Sequence, residues 1–177
     1  MVAFEIINRL PAGCVAELLG ELRMGNRATY RAAMELVAGR RKLRAAFLEK
    51  KPLPERHEWM AQELSKKANN DLATEILQGW LFACRKPMLI NFLDSIGAPH
   101  DGEGVLEDLP PEPARPVLES AVQTALNKYP AWEVFLYLNL FCEMDIADWP
   151  NLREIAEAIS VHTKADSPSA ETPPDEQ

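Results

Sequence analysis

One segment of the sequence constrains the fold more than any other, because it is apolar on almost every side. Between Trp132 and Ile146 large apolar residues follow one another, and Glu133, Asn139 and Glu143 leave only a narrow polar stripe on a helical wheel. β-Branched residues are few here, which favours a helix over a strand. A helix that is apolar all round is stable in water when other helices surround it. The segment therefore predicts a central helix in a multi-helix protein.

Apolar residues recur at steps of three and four along much of the N-terminal part, which predicts amphipathic helices. Asn26 is a suitable N-cap for one of them, a second helix is expected to begin near Glu55, and Asn70 is a suitable N-cap for a third. Lys86-Pro87 interrupts this third helix, because proline lacks the N–H that continues the hydrogen-bond ladder. Gly97, two residues before a proline, predicts the end of the helix that follows.

The composition changes at residues 98–116, where glycines and prolines predict turns and an extended connector. This connector divides the chain into an N-terminal helical part, residues 1–97, and a C-terminal three-helix part, residues 117–162, which we expect to pack on the first. Asp148 is the expected N-cap of the last helix. Residues 163–177 contain no large apolar side chain, which predicts a disordered acidic tail. The fold prediction is thus all-α, an irregular multi-helix bundle of about seven helices.

The composition is that of a soluble globular protein. Of the 177 residues 47% are apolar and 26% are charged, the formal net charge is −8, and no apolar run is long enough to span a membrane. The first ten residues lack the basic start and apolar stretch of a secretory signal. Cys14, Cys84 and Cys142 stand alone among apolar neighbours, which predicts three buried, reduced thiols and a cytoplasmic location.

No motif in the sequence indicates catalysis or a cofactor. His57-Glu58-Trp59-Met60 begins like the helix of a zinc protease, but Ala61 stands where the second histidine ligand would be. The acidic turn at Asp101 and Glu103 does not have the ligand spacing of an EF-hand calcium loop. We therefore predict no catalytic, cofactor or metal site, although an enzyme whose site is assembled from distant residues stays open.

Charge is distributed unevenly along the chain. Residues 1–70 contain 13 Lys and Arg against 8 Asp and Glu, whereas residues 71–177 contain 6 against 19. The basic residues are densest between residues 40 and 51, and two more lie on the preceding helix. The candidate partner-binding basic surface consists of Arg27, Arg31, Arg40, Arg41, Lys42, Arg44, Lys50 and Lys51.

Three functions are compatible with this pattern. The first is a non-enzymatic protein-interaction or adaptor module whose basic surface binds an acidic protein surface. The second is a nucleic-acid-associated protein that uses residues 40–51, which the net charge of −8 disfavours. The third is an enzyme. The basic segment is also compatible with an ordinary solvated face, or with a face turned toward the acidic half of the same chain. The oligomeric state is not indicated.

Overall fold

The computed structural model describes residues 1–11, 13–143 and 148–159, which form ten α-helices, one 3-10 turn at Lys67–Asn69 and no β-strand. The all-α prediction is confirmed, with ten helices in place of about seven. Two of the additional helices, α1 and α4, have seven and five residues, too few to show a clear helical period. The helices are α1 Ala3–Arg9, α2 Cys14–Gly25, α3 Arg27–Arg40, α4 Ala45–Glu49, α5 Leu53–Leu64, α6 Asn70–Cys84, α7 Lys86–Ile96, α8 Arg115–Lys128, α9 Ala131–Glu143 and α10 Pro150–Ala158.

Helix α9 lies at the centre of the protein, as its apolar composition predicts. Every residue from Trp132 to Cys142 is buried, and α9 contacts α1, α6, α8 and α10. Even Glu133 and Asn139 of the expected polar stripe are buried, at 3% and 1% exposure. Asn139 is accommodated because its amide donates a hydrogen bond to the carbonyl of Phe135. Helices from both sides of the connector therefore cover α9.

Helices α3 and α6 run antiparallel, with α2 packed against both of them and against α5. Near one end of the pair, a Cβ built on Gly79 would lie 3.0 Å from the side chain of Thr29. Near the other end, the guanidinium of Arg40 donates to the carbonyl of Ala68, 3.4 Å away. The start of α3 therefore lies beside the last turns of α6, and the end of α3 lies beside the start of α6.

The predicted helix boundaries are confirmed where the signal is local. Asn26 caps α3 by accepting a hydrogen bond from the N–H of Thr29 at 3.1 Å. Helix α6 ends before Arg85, and Gly97 takes a left-handed conformation, φ 68°, at the end of α7. The expected cap at Asn70 is wrong. This residue is already the first of α6, and its side chain accepts from the N–H of Phe4 on α1.

The prediction that Asp148 caps the last helix is also wrong. Helix α10 begins at Pro150, and the side chain of Asp148 is 96% exposed. The carboxylate of Glu112, in the connector, caps the helix from outside by accepting from the backbone N–H groups of Asn151 at 2.7 Å and Leu152 at 3.1 Å. The connector is thereby fixed to the start of α10 through a contact that a short sequence window does not contain.

Two predictions about organisation remain predictions. Residues 163–177, the expected disordered tail, lie outside the described residues, and nothing in the packing tests the placement of a boundary at residues 98–116. Among the described residues no helix has the length and apolar character needed to cross a membrane.

Candidate functional site

The basic segment begins where α3 ends in a tight turn. Lys42 has a left-handed backbone, φ 56°, which is uncommon for residues other than glycine. Its N–H bonds to the carbonyl of Gly39, and the N–H of Leu43 bonds to the carbonyl of Ala38, both at 2.9 Å. This pair of bonds is the Schellman motif, which satisfies carbonyls at a helix C-terminus. The turn leaves Lys42 exposed at the edge of α4.

Trp59 of α5 lies between two cationic side chains of this segment. The guanidinium carbon of Arg41 is 4.5 Å from the indole ring centroid, and the ammonium of Lys51 is 4.2 Å from it. Phe47 of α4 packs beside the indole at 6.4 Å and is 50% exposed. Cations over an aromatic face attract its quadrupole, which fixes the orientation of the ring. The surface therefore presents two aromatic side chains held in place by charge.

The two cations are held in turn by carboxylates of α5. Arg41 donates to Glu63 at 2.9 Å and to Gln62 at 2.8 Å, and Lys51 is paired with Glu55. Burial on its own would raise the pKa of Glu63, but the hydrogen bond and charge of Lys66, followed by those of Arg41, lower it. Glu63 is therefore ionised at neutral pH and anchors Arg41.

Arg56 fixes the end of α4 beneath this surface. Its guanidinium donates to the carbonyls of Leu48 and Lys51, each at 3.1 Å, and also to that of Glu49. Leu48 is fully buried on the opposite side of the same helix. A five-residue helix is not stable by its own hydrogen bonds. These contacts explain how α4 keeps its position and why its Phe47 points outward.

The eight predicted residues divide into three groups. Arg40, Lys42, Arg44 and Lys50 are exposed and form no ion pair within the described part of the chain. Arg41 and Lys51 contact the ring of Trp59, and we call this pair the clamp. Their carboxylate partners, Glu63 and Glu55, lie in residues 1–70 and not in the acidic half of the chain. Arg27 and Arg31 lie about 20 Å and about 14 Å from Arg40 along α3, at the helical rise of about 1.5 Å per residue. They do not join the other six, and Arg31 pairs with Glu35 at 3.3 Å.

We call the resulting surface the basic–aromatic face, defined as Arg40, Arg41, Lys42, Arg44, Phe47, Lys50, Lys51 and Trp59. Sequence reasoning missed its two aromatic members. Phe47 follows Leu43 at helical spacing, which indicates an inward position, and Trp59 was considered only as part of the zinc-protease comparison at His57-Glu58-Trp59-Met60. The signal that was available is the interleaving of aromatic with basic residues between positions 40 and 59.

A second cluster of charge lies inside the protein and joins three parts of the fold. Arg85 donates to both oxygens of Glu133 at 2.6 Å and to Glu21 at 2.8 Å. Trp80 donates its indole N–H to Glu21 at 2.8 Å and stacks on Trp132 at 5.5 Å. The hydrogen bonds of Glu133 raise the pKa of Arg85 against the opposing effect of burial, and Glu21 adds to the increase. One guanidinium binds both carboxylates, so the cluster links α2, α9 and the residue between α6 and α7.

The cysteines and histidine considered in the sequence do not form a site. Cys142 is buried, but Cys14 and Cys84 are only partly buried, so the prediction of three buried thiols is wrong for two of them. All three are free, and burial raises their pKa values, that of Cys142 to about 11. His57 is buried against Tyr30, with ring centroids 5.8 Å apart. Within the residues that the structure describes, no group of three His, Cys, Asp or Glu is placed to hold a metal ion.

Comparison with known proteins adds no relative to this description. No protein-family model matches the chain, and neither does any curated protein or solved structure.

Proposed function

We propose that this chain is a non-enzymatic protein-interaction module that binds an acidic segment of a partner protein on its basic–aromatic face. One observation carries the proposal. Trp59 is clamped between Arg41 and Lys51 beside the half-exposed Phe47. The same segment carries the four exposed cations that have no ion pair within the described residues.

This combination has the features of a binding hot spot. Tryptophan and arginine are enriched among the residues that dominate interface energies. A tryptophan side chain has only two χ angles and therefore loses little conformational entropy on binding. The clamp around Trp59 fixes the ring before a partner arrives. The unpaired cations supply attraction at longer range, which raises association rates and selects an acidic partner. Each exposed pair contributes about 1 kcal/mol or less, so binding requires several of them together.

Nucleic acid is the second candidate, and one observation favours it. The half-exposed ring of Phe47 beside unpaired cations is an arrangement on which a single-stranded base stacks. The net charge of −8 opposes it, because a long polyanion would also meet the field of the acidic half of the chain. A short acidic protein segment avoids most of that repulsion, and we therefore rank the acidic protein partner first.

Two fluorescent probes separate these candidates by anisotropy: a 12-residue peptide of alternating Glu and Leu, and a 20-nucleotide single strand of random sequence. The test variant carries Lys42, Arg44 and Lys50 changed to Glu. Its matched control carries the same charge change at three exposed positions that are not members of the face, Arg23→Glu, Arg27→Glu and Lys128→Glu. We expect the peptide to bind the unmodified chain, the test variant to bind it at least tenfold more weakly, and the control to lose much less.

A second pair of variants tests the aromatic contribution. Phe47→Ala should weaken peptide binding about fivefold or more, whereas Phe82→Ala, which removes a comparably exposed ring elsewhere, should not. Stronger binding of the oligonucleotide, with a log–log salt slope of about −3 for four phosphate contacts, would favour the second candidate. If the test variant and its charge-matched control lose peptide affinity equally, binding is not localised at the basic–aromatic face.

A further inference from the structure

The antiparallel pair α3 and α6 encloses an open groove, and none of its lining residues belongs to the basic–aromatic face. The groove has a volume of about 390 Å³. Its floor is apolar and is formed by side chains from both helices, including the buried Ala33, Leu72 and Ile76. Its lining includes the small residue Ala32 on α3, which leaves room for a close approach, whereas Gly79 on α6 is already covered by Thr29.

Large apolar side chains are left in solvent along this groove. Leu36 on α3 is 48% exposed, and Phe82 on α6 is 39% exposed. Leu36 lies seven residues from Thr29, which faces Gly79, so the groove is at least about 10 Å long at the rise of 1.5 Å per residue. This is about two helical turns. Exposed apolar side chains that border an apolar floor mark a surface that gains free energy when it is covered.

The rim of the groove is negative. Glu75 is the charged residue among the groove's lining residues. Asp71 lies one turn before it on the same exposed side of α6, and neither residue forms an ion pair within the described parts of the chain. Glu35, next to Leu36 in α3, is not a lining residue and is paired with Arg31 at 3.3 Å. The groove therefore combines an apolar floor with uncompensated acidic charge at one edge.

We propose that this groove is a second docking site, and that its occupant is an amphipathic helix of a partner protein with basic flanks. Apolar residues at i, i+3 or i+4, and i+7 of such a helix span about 10 Å and match the groove between Leu36 and Thr29. Lysines or arginines beside that apolar stripe lie opposite Glu75 and Asp71. The small side chain of Ala32 allows the incoming helix to approach α3.

This site has the opposite charge preference from the basic–aromatic face and rests on different residues. A basic helix is repelled by Lys42 and Arg44, and an acidic segment is repelled by Glu75. The two surfaces therefore give the chain two docking sites that do not compete for the same partner. Binding at the groove does not require binding at the basic–aromatic face. Because each site has its own peptide probe, loss of one does not affect the test of the other.

The probe is a 15-residue peptide of Leu, Ala and Lys with leucines at i, i+4, i+7 and i+11, titrated calorimetrically into the full chain. The comparison peptide has every Lys replaced by Glu. We expect the Lys peptide to bind one equivalent, and Leu36→Ser and Glu75→Lys each to weaken it at least fivefold. The matched variants Leu109→Ser, at a residue of equal exposure, and Glu107→Lys should leave its affinity unchanged within twofold.

Phe47→Ala supplies the control for the other face, since it should not alter binding of the Lys peptide. Leu36 is half-exposed, so the Leu36→Ser variant should have the melting temperature of the unmodified chain. Glu75→Lys tests the site through a second, independent residue. Absence of binding, binding that neither variant weakens, or equal binding of the Glu peptide would overturn the proposal. A mass of about twice 19.9 kDa that Leu36→Ser reduces to the monomer would assign the groove to a second copy and would also overturn it.

Discussion

Replacing Arg85 by methionine tests whether the internal charge cluster holds the helices together. The guanidinium makes two 2.6 Å hydrogen bonds to Glu133 and one of 2.8 Å to Glu21. Methionine keeps much of the side-chain volume but removes every donor. The side chain of Glu133, only 3% exposed, would then be a buried carboxylate without its partner, whereas Glu21, at 33%, is reached by water.

The magnitude follows from this difference in exposure. Removing one partner of a buried ion pair costs about 3–5 kcal/mol, mostly because the remaining charge is uncompensated. The side chain of Arg85 is 18% exposed, so water reaches part of it. We therefore expect a loss at the lower end of this range, about 3 kcal/mol. For a chain of this size that corresponds to a decrease in Tm of roughly 6–12 °C.

Urea unfolding followed by circular dichroism at 222 nm measures this loss, and a double variant identifies its cause. Arg85→Met with Glu133→Leu removes the stranded carboxylate as well, so it should be more stable than Arg85→Met alone by about 1 kcal/mol or more. If the free energy of unfolding of Arg85→Met lies within about 0.5 kcal/mol of that of the unmodified chain, the range of ordinary surface changes, the charge cluster does not hold the helices together. A double variant that is less stable than the single one would contradict this role of the cluster equally.

Three further predictions concern stability. Burial lowers the pKa of His57 below its ordinary 6.5, so the unfolded chain binds the proton first as the pH decreases. The free energy of unfolding should therefore fall below pH 6.5. Urea titrations at several pH values should show that His57→Gln removes this part of the pH dependence. Glu112→Ala should cost about 1–2 kcal/mol because it uncaps α10, whereas Asp148→Ala should change the midpoint little. Phe141→Ala, at 7% exposure in α9, should cost about 3–5 kcal/mol in the same assay, and a loss below about 1 kcal/mol would place that side chain at the surface.

The parts of the fold that sequence patterns predict are those with strong local signals. The all-round apolar character of α9 is sufficient to place it at the centre, and Asn26 reaches its capping partner three residues away. Helix α10 is different, because Glu112 lies 39 residues before Asn151. Asp148 has the right position in the sequence, but its side chain points into solvent, and no local pattern distinguishes these outcomes.

The candidate surface was predictable in its charge and not in its geometry. The run of basic residues marks the segment, but only the fold separates Arg41 and Lys51, which are used internally, from the four cations that stay unpaired in the described chain. Arg41 meets Glu63 across 22 residues. Phe47 points outward because Leu48 takes the buried position of a very short helix. Such contacts depend on how α3, α4 and α5 pack.

Binding of a partner at the basic–aromatic face can be observed through the indole N–H signals in a ¹⁵N-correlated NMR spectrum. The chain has four tryptophans. Trp80, Trp132 and Trp149 are buried, whereas Trp59 is partly exposed within the face, and Trp59→Phe assigns its signal by removing it. On titration with the acidic Glu–Leu peptide, we expect the Trp59 signal to shift in a saturable way while the signals of the other three tryptophans stay in place. A stationary Trp59 signal, or shifts confined to the buried tryptophans, would contradict it.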